Sequence, residues 1–564
     1  MLFARGVKTS SVKADPNSPE GNRQRKAEMT RLETECGSKT HNNCQVVTLY
    51  GGAQYNLYEY KKYTDVRLVF APEFQIGFFG GDPDNFTYPR YCLDIGFFRV
   101  YENGRPAKTP NYLKWSREGV QKGEPVFVSG NPARTERLLT MSELEYYRDV
   151  TYPFSLKRLE SAIAAVKKYM GESAENERAA KDTLFGLENT YKAMKGRYSG
   201  LEDAKLMAEK RTDEQKLRDA VKRDPAMNRE YGQVWDEVAK ATTGARATYF
   251  RRNLLDGGPM ASQLFAIARA VLRMPEELAK PADQRLREYA GSALASTELR
   301  LFAPAPITAS LEVVALADYF GLLESQLGAS DPVVKSVLRG RTPTEAAKAY
   351  VAGTKLFEVP ERKRLSASVN AAKASNDTMI ELARLLEPEA RRLRKEYEDG
   401  PEAALNAAKP KLAEARFAVH GPGEPPDATF TLRLSYGQVK GYEDDRGKEI
   451  PYATTIGGAF KRATGELPYV LPPSWLKAKN SLNADLPFDF VSTSDIIGGN
   501  SGSPTVNARG EIVGIVFDMN IEALPDHFEY SETQARAVHV ASQAVVEALR
   551  KIYRADRILG EIGQ

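Results

Sequence analysis

The chain changes texture twice, and that alternation limits its architecture more than any single motif. From Val46 to about Val128 it reads as short strands, VVTLY, YNLYEY, VRLVF, IGFF, IGFFRVY and VFVSG, parted by Gly, Pro, Asp and Asn. Glu102-Asn103-Gly104 is a hairpin signal within that region. After Thr140, where TMSE reads as a capping box, the sequence turns rich in Ala, Leu, Glu, Lys and Arg at helical spacing and stays so to roughly Phe417. Prolines at 275, 281, 304, 306, 332, 343, 360, 388, 401 and 410 are expected to divide it into several packed helices. HGPGEPPDA, from His420 to Ala428, is a junction after which TFTLRLSYG alternates like a strand again. The last helix starts at Ser542 and puts Val545, Val546, Leu549 and Ile552 on one face. Sheet, helices and sheet in that order predict an α+β fold in which a helical domain interrupts a β domain whose two segments meet in space. The expected divisions are 1–146, 147–420 and 421–564.

At 564 residues the chain exceeds one ordinary core. Its net charge of +4 is the small difference between 79 basic and 75 acidic residues, so bulk charge selects neither nucleic acid nor a membrane surface. No apolar run reaches the ~18 residues of a span, and the start, MLFARGVKTS, lacks a signal-peptide core. Three cysteines exclude a disulfide scaffold and offer no CxxC pair, so neither metal nor cofactor is expected. Cys36 and Cys44 flank a short polar loop and either close a small disulfide in an oxidising compartment or are unrelated thiols beside Cys92.

The most specific segment is IIGGNSGSPTVNARGEIVGIVFD. A serine nucleophile needs an exposed hydroxyl on a tight loop with backbone N–H groups converging on the oxyanion, and small neighbours permit both. Ser501 is therefore the expected nucleophile, with the N–H groups of Gly499 and Ser501 as oxyanion hole; an ordinary Gly/Ser turn is the alternative. A hydrolase elbow needs G-x-S-x-G between strand and helix, whereas position 503 is Ser and a strand follows. The loop is instead similar to the GDSGGP type of chymotrypsin-like peptidases, with Asn500 replacing the acid. Asp94, just ahead of an apolar strand, suits a triad acid. Asp82 and Asp84 lack the later ligands of a calcium loop.

With GGDPDNFTYPRY, YKKYTDVRLVFAPE, GGNSGSP and VFDMNIEALP, the chain from about Gln24 onward resembles the bacterial dipeptidyl-peptidase 7/11 family. That resemblance implies a chymotrypsin-like double β-barrel, its first barrel incomplete here, with a large inserted helical domain. It implies a serine exopeptidase that releases dipeptides from free N-termini, with Asp94 and Ser501 in the triad. Asn85, Asn189 and Asp518 correspond to the residues that hold the substrate's ammonium, with Phe86 beside them where Trp is common. One carboxylate and neutral acceptors suit an ammonium. Met519 stands where relatives carry glycine or arginine; lacking charge, it predicts an uncharged, apolar preference at the penultimate substrate residue.

The resemblance departs at the triad histidine, because no TNHH segment exists in this sequence. His41, His420, His527 and His539 do not stand in its context. The expectation drawn from this is an N-terminally truncated record of a periplasmic or envelope enzyme, with an inactive peptide-binding relative as the alternative. The expected partners are peptides with a free N-terminus; a homodimer is common in the family, and nothing points to nucleic acid.

Overall fold

The computed structural model describes residues 3–7, 19–421 and 423–564. Residues 1–2 and 8–10 of the MLFARGVKTS start and Pro422 of the junction lie outside the described residues. The chain divides into two units, one of residues 1–61, 139–191 and 207–425, the other of residues 62–138, 192–206 and 426–564.

The first unit is mainly helical. Its core gathers Leu264, Phe265, Val271, Leu316, Phe320 and Leu386, all essentially sealed from water. Thr140 opens the helix Met141–Tyr146 with the capping box expected of it, its hydroxyl accepting from Glu143 N while the Glu143 carboxylate accepts from Thr140 N. Ser262 caps Gln263–Leu278, and the Glu312 carboxylate accepts from the Ser262 hydroxyl and from Gln263 N. Not every proline divides helices as expected. Pro332, Pro343 and Pro360 stand in first turns, where a missing N–H costs nothing, but Pro275, Pro388 and Pro410 lie inside helices.

Three strands, β1 (Phe3–Val7), β2 (Asn43–Leu49) and β3 (Gln54–Tyr60), also belong to this unit, as an antiparallel sheet in the order β1-β3-β2. The expected first division, 1–146, thus gives way to one in which the first 61 residues join the helices. The cause is local: Tyr50 stacks edge-on against Phe417, its hydroxyl donates to Glu424 O, and the Glu33 carboxylate accepts from Val46 N. Cys36 and Cys44 form a disulfide between the helix Pro19–Thr40 and β2.

The second unit is a sheet flanked by short helices. β4 (Asp65–Phe70), β5 (Phe97–Glu102) and β6 (Arg105–Pro106) form one small antiparallel sheet. β7 (Lys114–Trp115), β8 (Pro125–Gly130), β9 (Arg433–Gln438), β12 (Ala453–Thr455), β13 (Pro487–Ser492), β14 (Pro504–Asn507), β15 (Glu511–Met519) and β16 (Ala537–Ala541) form the main one; β10 (Tyr442–Glu443) and β11 (Glu449–Ile450) make a separate hairpin. The main order is β12-β13-β16-β15-β14-β8-β9, with β7 parallel to β15. β8, which precedes the helices, pairs with β9, which follows them, from Pro125 opposite Gln438 to Gly130 opposite Arg433. The two distant β segments therefore share one sheet. Trp475, Phe488, Phe490, Val513, Val540, Val545 and Leu549 fill its core, the last two from the helix Ser542–Lys551. IGFF at 76–79 is not a strand: Phe74–Gly77 is a helical turn, and Ile76 and Phe79, three apart, both point inward.

Candidate active site

Between β13 and β14 the chain makes a tight loop that only small residues permit. Gly499 has φ +103°, and a Cβ there would lie 2.6 Å from Asn131 O. Gly502 has φ +84°, and its N–H donates to Val516 O at 2.7 Å while Val516 N donates back to Ser503 O at 3.0 Å. Asn500, which replaces the acid of related loops, is buried and braces the turn: its Oδ1 accepts from Ile497 N at 3.1 Å, and its carbonyl accepts from Ser503 N at 2.9 Å. Ser501 is exposed. Among the described residues no protein acceptor takes the N–H of Gly499 or of Ser501.

Beside this loop in the fold of the same unit lies a knot of carboxylates around one guanidinium. Arg90 is 2 % exposed and donates from Nη1 to Asp84 O at 2.6 Å and to the Asp518 carboxylate, with Nη2 on Cys92 Sγ. Burial works to lower its pKa, but Cys92, Asp518 and Asp489 outweigh it and the guanidinium stays charged. Asp489, on β13, accepts from Cys92 N at 2.7 Å through one oxygen, while its other oxygen has no partner. Complete burial raises its pKa well above the ordinary carboxylate value. Asp94 stands in the loop before β5 with its side chain open to solvent on one side. The protein packed around its other sides raises its pKa, against the pull of Arg90.

Asp518, near the end of β15, uses one oxygen to accept from Phe86 N at 3.0 Å and from Arg90, and the other to accept from Met519 N at 2.8 Å. Burial raises its pKa and Arg90 opposes the shift. A carboxylate has about four acceptor positions, so one remains for a further donor. Phe86 takes a left-handed φ of +57° and packs with Met519, Leu524 and Ala193. Asn85 is buried, and its carbonyl accepts from Lys192 Nζ at 3.5 Å. Lys192 also holds Asp82, and Arg462 with Tyr469 holds the Asp84 carboxylate, so these two acids brace the loop. The helix from Lys192 lies close on the turn Ile521–His527: a Cβ on Gly196 would meet Leu524 Cδ1 at 2.3 Å, and one on Gly200 would meet Pro525 Cβ at 2.8 Å. Asn189 belongs to the helical unit.

Among the described residues no histidine is hydrogen-bonded to Ser501 or Asp94. His41 and His420 belong to the helical unit. His527 is buried with Nε2 3.1 Å from the Glu136 carboxylate. His539 lies on β16 between Ser492 Oγ at 2.8 Å and Thr505 Oγ1 at 2.7 Å, stacked on Phe490, and burial pulls its pKa down to about 3. Sequence reasoning missed Arg90, Asp489 and Lys192. The signal for Lys192 was its place one helical turn before GRYSG, whose glycines stand one turn apart.

An exposed serine on such a loop, in a unit of antiparallel sheet, is an arrangement that a serine-type peptidase requires. The Peptidase S46 family matches residues 7–564. The chain belongs to that family, and it is a serine-type dipeptidyl-peptidase. It is 27% identical to an Asp/Glu-specific dipeptidyl-peptidase of Shewanella putrefaciens, covering 94% of this chain and 79% of that one. It is 26% identical to a dipeptidyl-peptidase 7 of Phocaeicola vulgatus, covering 99% and 80%. Its fold is that of Porphyromonas endodontalis DPP11 solved in complex with substrate, at a TM-score of 0.79 and 22% identity over 99% of this chain and 84% of the other. The same protein solved with the dipeptide Arg-Glu matches at 0.78, 22% identity, 99% and 82%.

One expectation is corrected. The apolar penultimate preference inferred from Met519 gives way, because two relatives matched along 94% and 92% of the chain are Asp/Glu-specific dipeptidyl-peptidases. The inference assumed that position 519 alone supplies charge to the pocket. The matches run along 94% and 99% of this chain and cover 79% and 80% of those two relatives. Among the described residues no helix is long and apolar enough to cross a membrane.

Proposed function

We propose that this peptidase releases dipeptides bearing an acidic second residue from peptides with a free N-terminus. The observation that carries the chemistry is the exposed Ser501 between two N–H groups with no other acceptor. In this reading Ser501 Oγ adds to the carbonyl carbon of the second residue as its proton passes to solvent water, the N–H groups of Gly499 and Ser501 receive the oxyanion, the bond to the third residue breaks with a water proton going to the leaving amine, and a second water hydrolyses the acyl-enzyme. Asp94 takes the place of the triad acid, at the end of a chymotrypsin-like barrel.

The amine anchor is Asp518, with Asn85 and Phe86 beside it and Asn189 assigned with them by family resemblance. Asp518 accepts from Phe86 N, Arg90 and Met519 N and keeps one acceptor position for an arriving ammonium. The acidic preference is supported by the Asp/Glu-specific relative. A disulfide between Cys36 and Cys44 suits an oxidising compartment such as the periplasm.

Mass spectrometry of the products from a free peptide with Glu at its second position, beside its N-acetylated form and a form with Leu there, tests the reading. Dipeptide release from the free Glu peptide, and little from the others, is expected. Equal cleavage of the acetylated peptide would end the anchor assignment, and equal cleavage of the Leu peptide would end the acidic one.

A further inference from the structure

An acidic substrate side chain entering a pocket floored by Met519 needs a cation from another element. We propose that Arg197 is that cation, the residue that recognises the substrate's second-position carboxylate; the inference rests on the acidic preference proposed above.

Arg197 lies on the helical stretch Lys192–Glu202, which is built into the peptidase unit. Gly196 and Gly200 let this stretch sit directly on Leu524 and Pro525, and Lys192 ties it to Asp82 and the Asn85 carbonyl. So anchored, Arg197 places Nη2 3.9 Å from where a Cβ on Gly498 would stand, three residues before Ser501. One helical turn earlier, Ala193 packs into the cluster of Phe86 and Met519. The guanidinium therefore lies beside the nucleophile loop, on a helix whose preceding turn meets the cluster of Met519.

The other guanidiniums near these elements are already taken. Arg90 is bound by Asp518, Arg137 by Asp495 and Arg462 by Asp84. Arg197 is half-buried, and among the described residues it has no hydrogen-bond or carboxylate partner. A partly desolvated cation without a counter-charge at a substrate cleft is suited to a ligand carboxylate, which the planar fork can grip through two N–H groups at once.

Calorimetric titration of the full chain with the dipeptides Arg-Glu and Arg-Gln tests the assignment without depending on turnover. The unaltered protein is expected to bind Arg-Glu about tenfold to a hundredfold more tightly. Arg197→Ala and Arg197→Gln should bring that ratio close to one, and Arg197→Lys should restore part of it, with thermal melts confirming that each variant is folded. A ratio kept in Arg197→Ala and Arg197→Gln would overturn the role of Arg197 and leave the acidic preference standing. A ratio near one in the unaltered protein would overturn both. An equal fall for both dipeptides would make Arg197 a structural residue only and would also refute the assignment.

Discussion

Replacing Arg90 by Met removes the only positive charge that acts, among the described residues, on Asp518, Asp489 and Asp94 together. The side chains of the Arg90–Asp518 pair are 2% and 7% exposed, so solvent cannot take over the guanidinium's role. Breaking a buried pair in this way costs about 3–5 kcal/mol, and the Asp84 carbonyl loses a donor worth about 1 kcal/mol more. The loss should depend on pH with a definite sign. Burial already raises the Asp518 pKa against the pull of Arg90, and without Arg90 it rises further. A carboxyl whose folded pKa lies above its unfolded value has its favourable contribution at low pH and loses it as pH rises through the folded value. Urea unfolding of the variant should therefore show its largest deficit at about pH 8 and a smaller one at about pH 5, and adding Asp518→Asn should recover much of it. A deficit below about 1 kcal/mol, the size typical of an exposed pair, or one independent of pH, would refute the reasoning.

Gly499→Ala should lower kcat by about 10²–10³, because its Cβ would strike Asn131 O and turn the oxyanion donors away; a kcat within about twofold of normal would remove that N–H from the account. His539 is held neutral by burial, with its pKa pulled down to about 3. Its contribution to stability is present above the ordinary histidine value and falls by about 1.4 kcal/mol per pH unit below it. His539→Gln should flatten that slope in urea unfolding between about pH 6 and pH 4, and identical slopes would show that His539 does not titrate so. Gly200→Ala should cost about 1–3 kcal/mol, since its Cβ would lie 2.8 Å from Pro525 Cβ and 3.2 Å from its Cα; unchanged stability in urea would mean that the turn yields freely.

What could be seen in the sequence was what local chemistry specifies. The run from Gly498 to Pro504 names its own loop, because only glycine takes the φ of positions 499 and 502. The change of texture at Thr140 and at the His420 junction pointed to two β segments that meet in space, and β8 and β9 are the strands that pair. Strand character alone did not say which sheet a strand joins, so β2 and β3 were assigned to the peptidase part although Tyr50 and Glu33 bind them to the helical unit. Nor does a proline in an Ala- and Leu-rich stretch reveal whether packing will carry the helix through it, as at Pro275 and Pro388. The Arg90–Asp518 pair spans 428 residues of sequence, and no periodicity connects its two ends. Arg197 was passed over because a helical arginine is ordinarily a solvated one; what distinguishes it is the close seat that Gly196 and Gly200 give its helix.

The most direct test of Ser501 as the nucleophile is intact-mass measurement after exposure to a dipeptidyl phosphonate ester carrying a free amine and an acidic second residue. The expected result is a single phosphonyl adduct that maps to Ser501, disappears in Ser501→Ala and fails to form from the N-acetylated reagent. An adduct on another residue, or labelling that survives Ser501→Ala, would contradict the account.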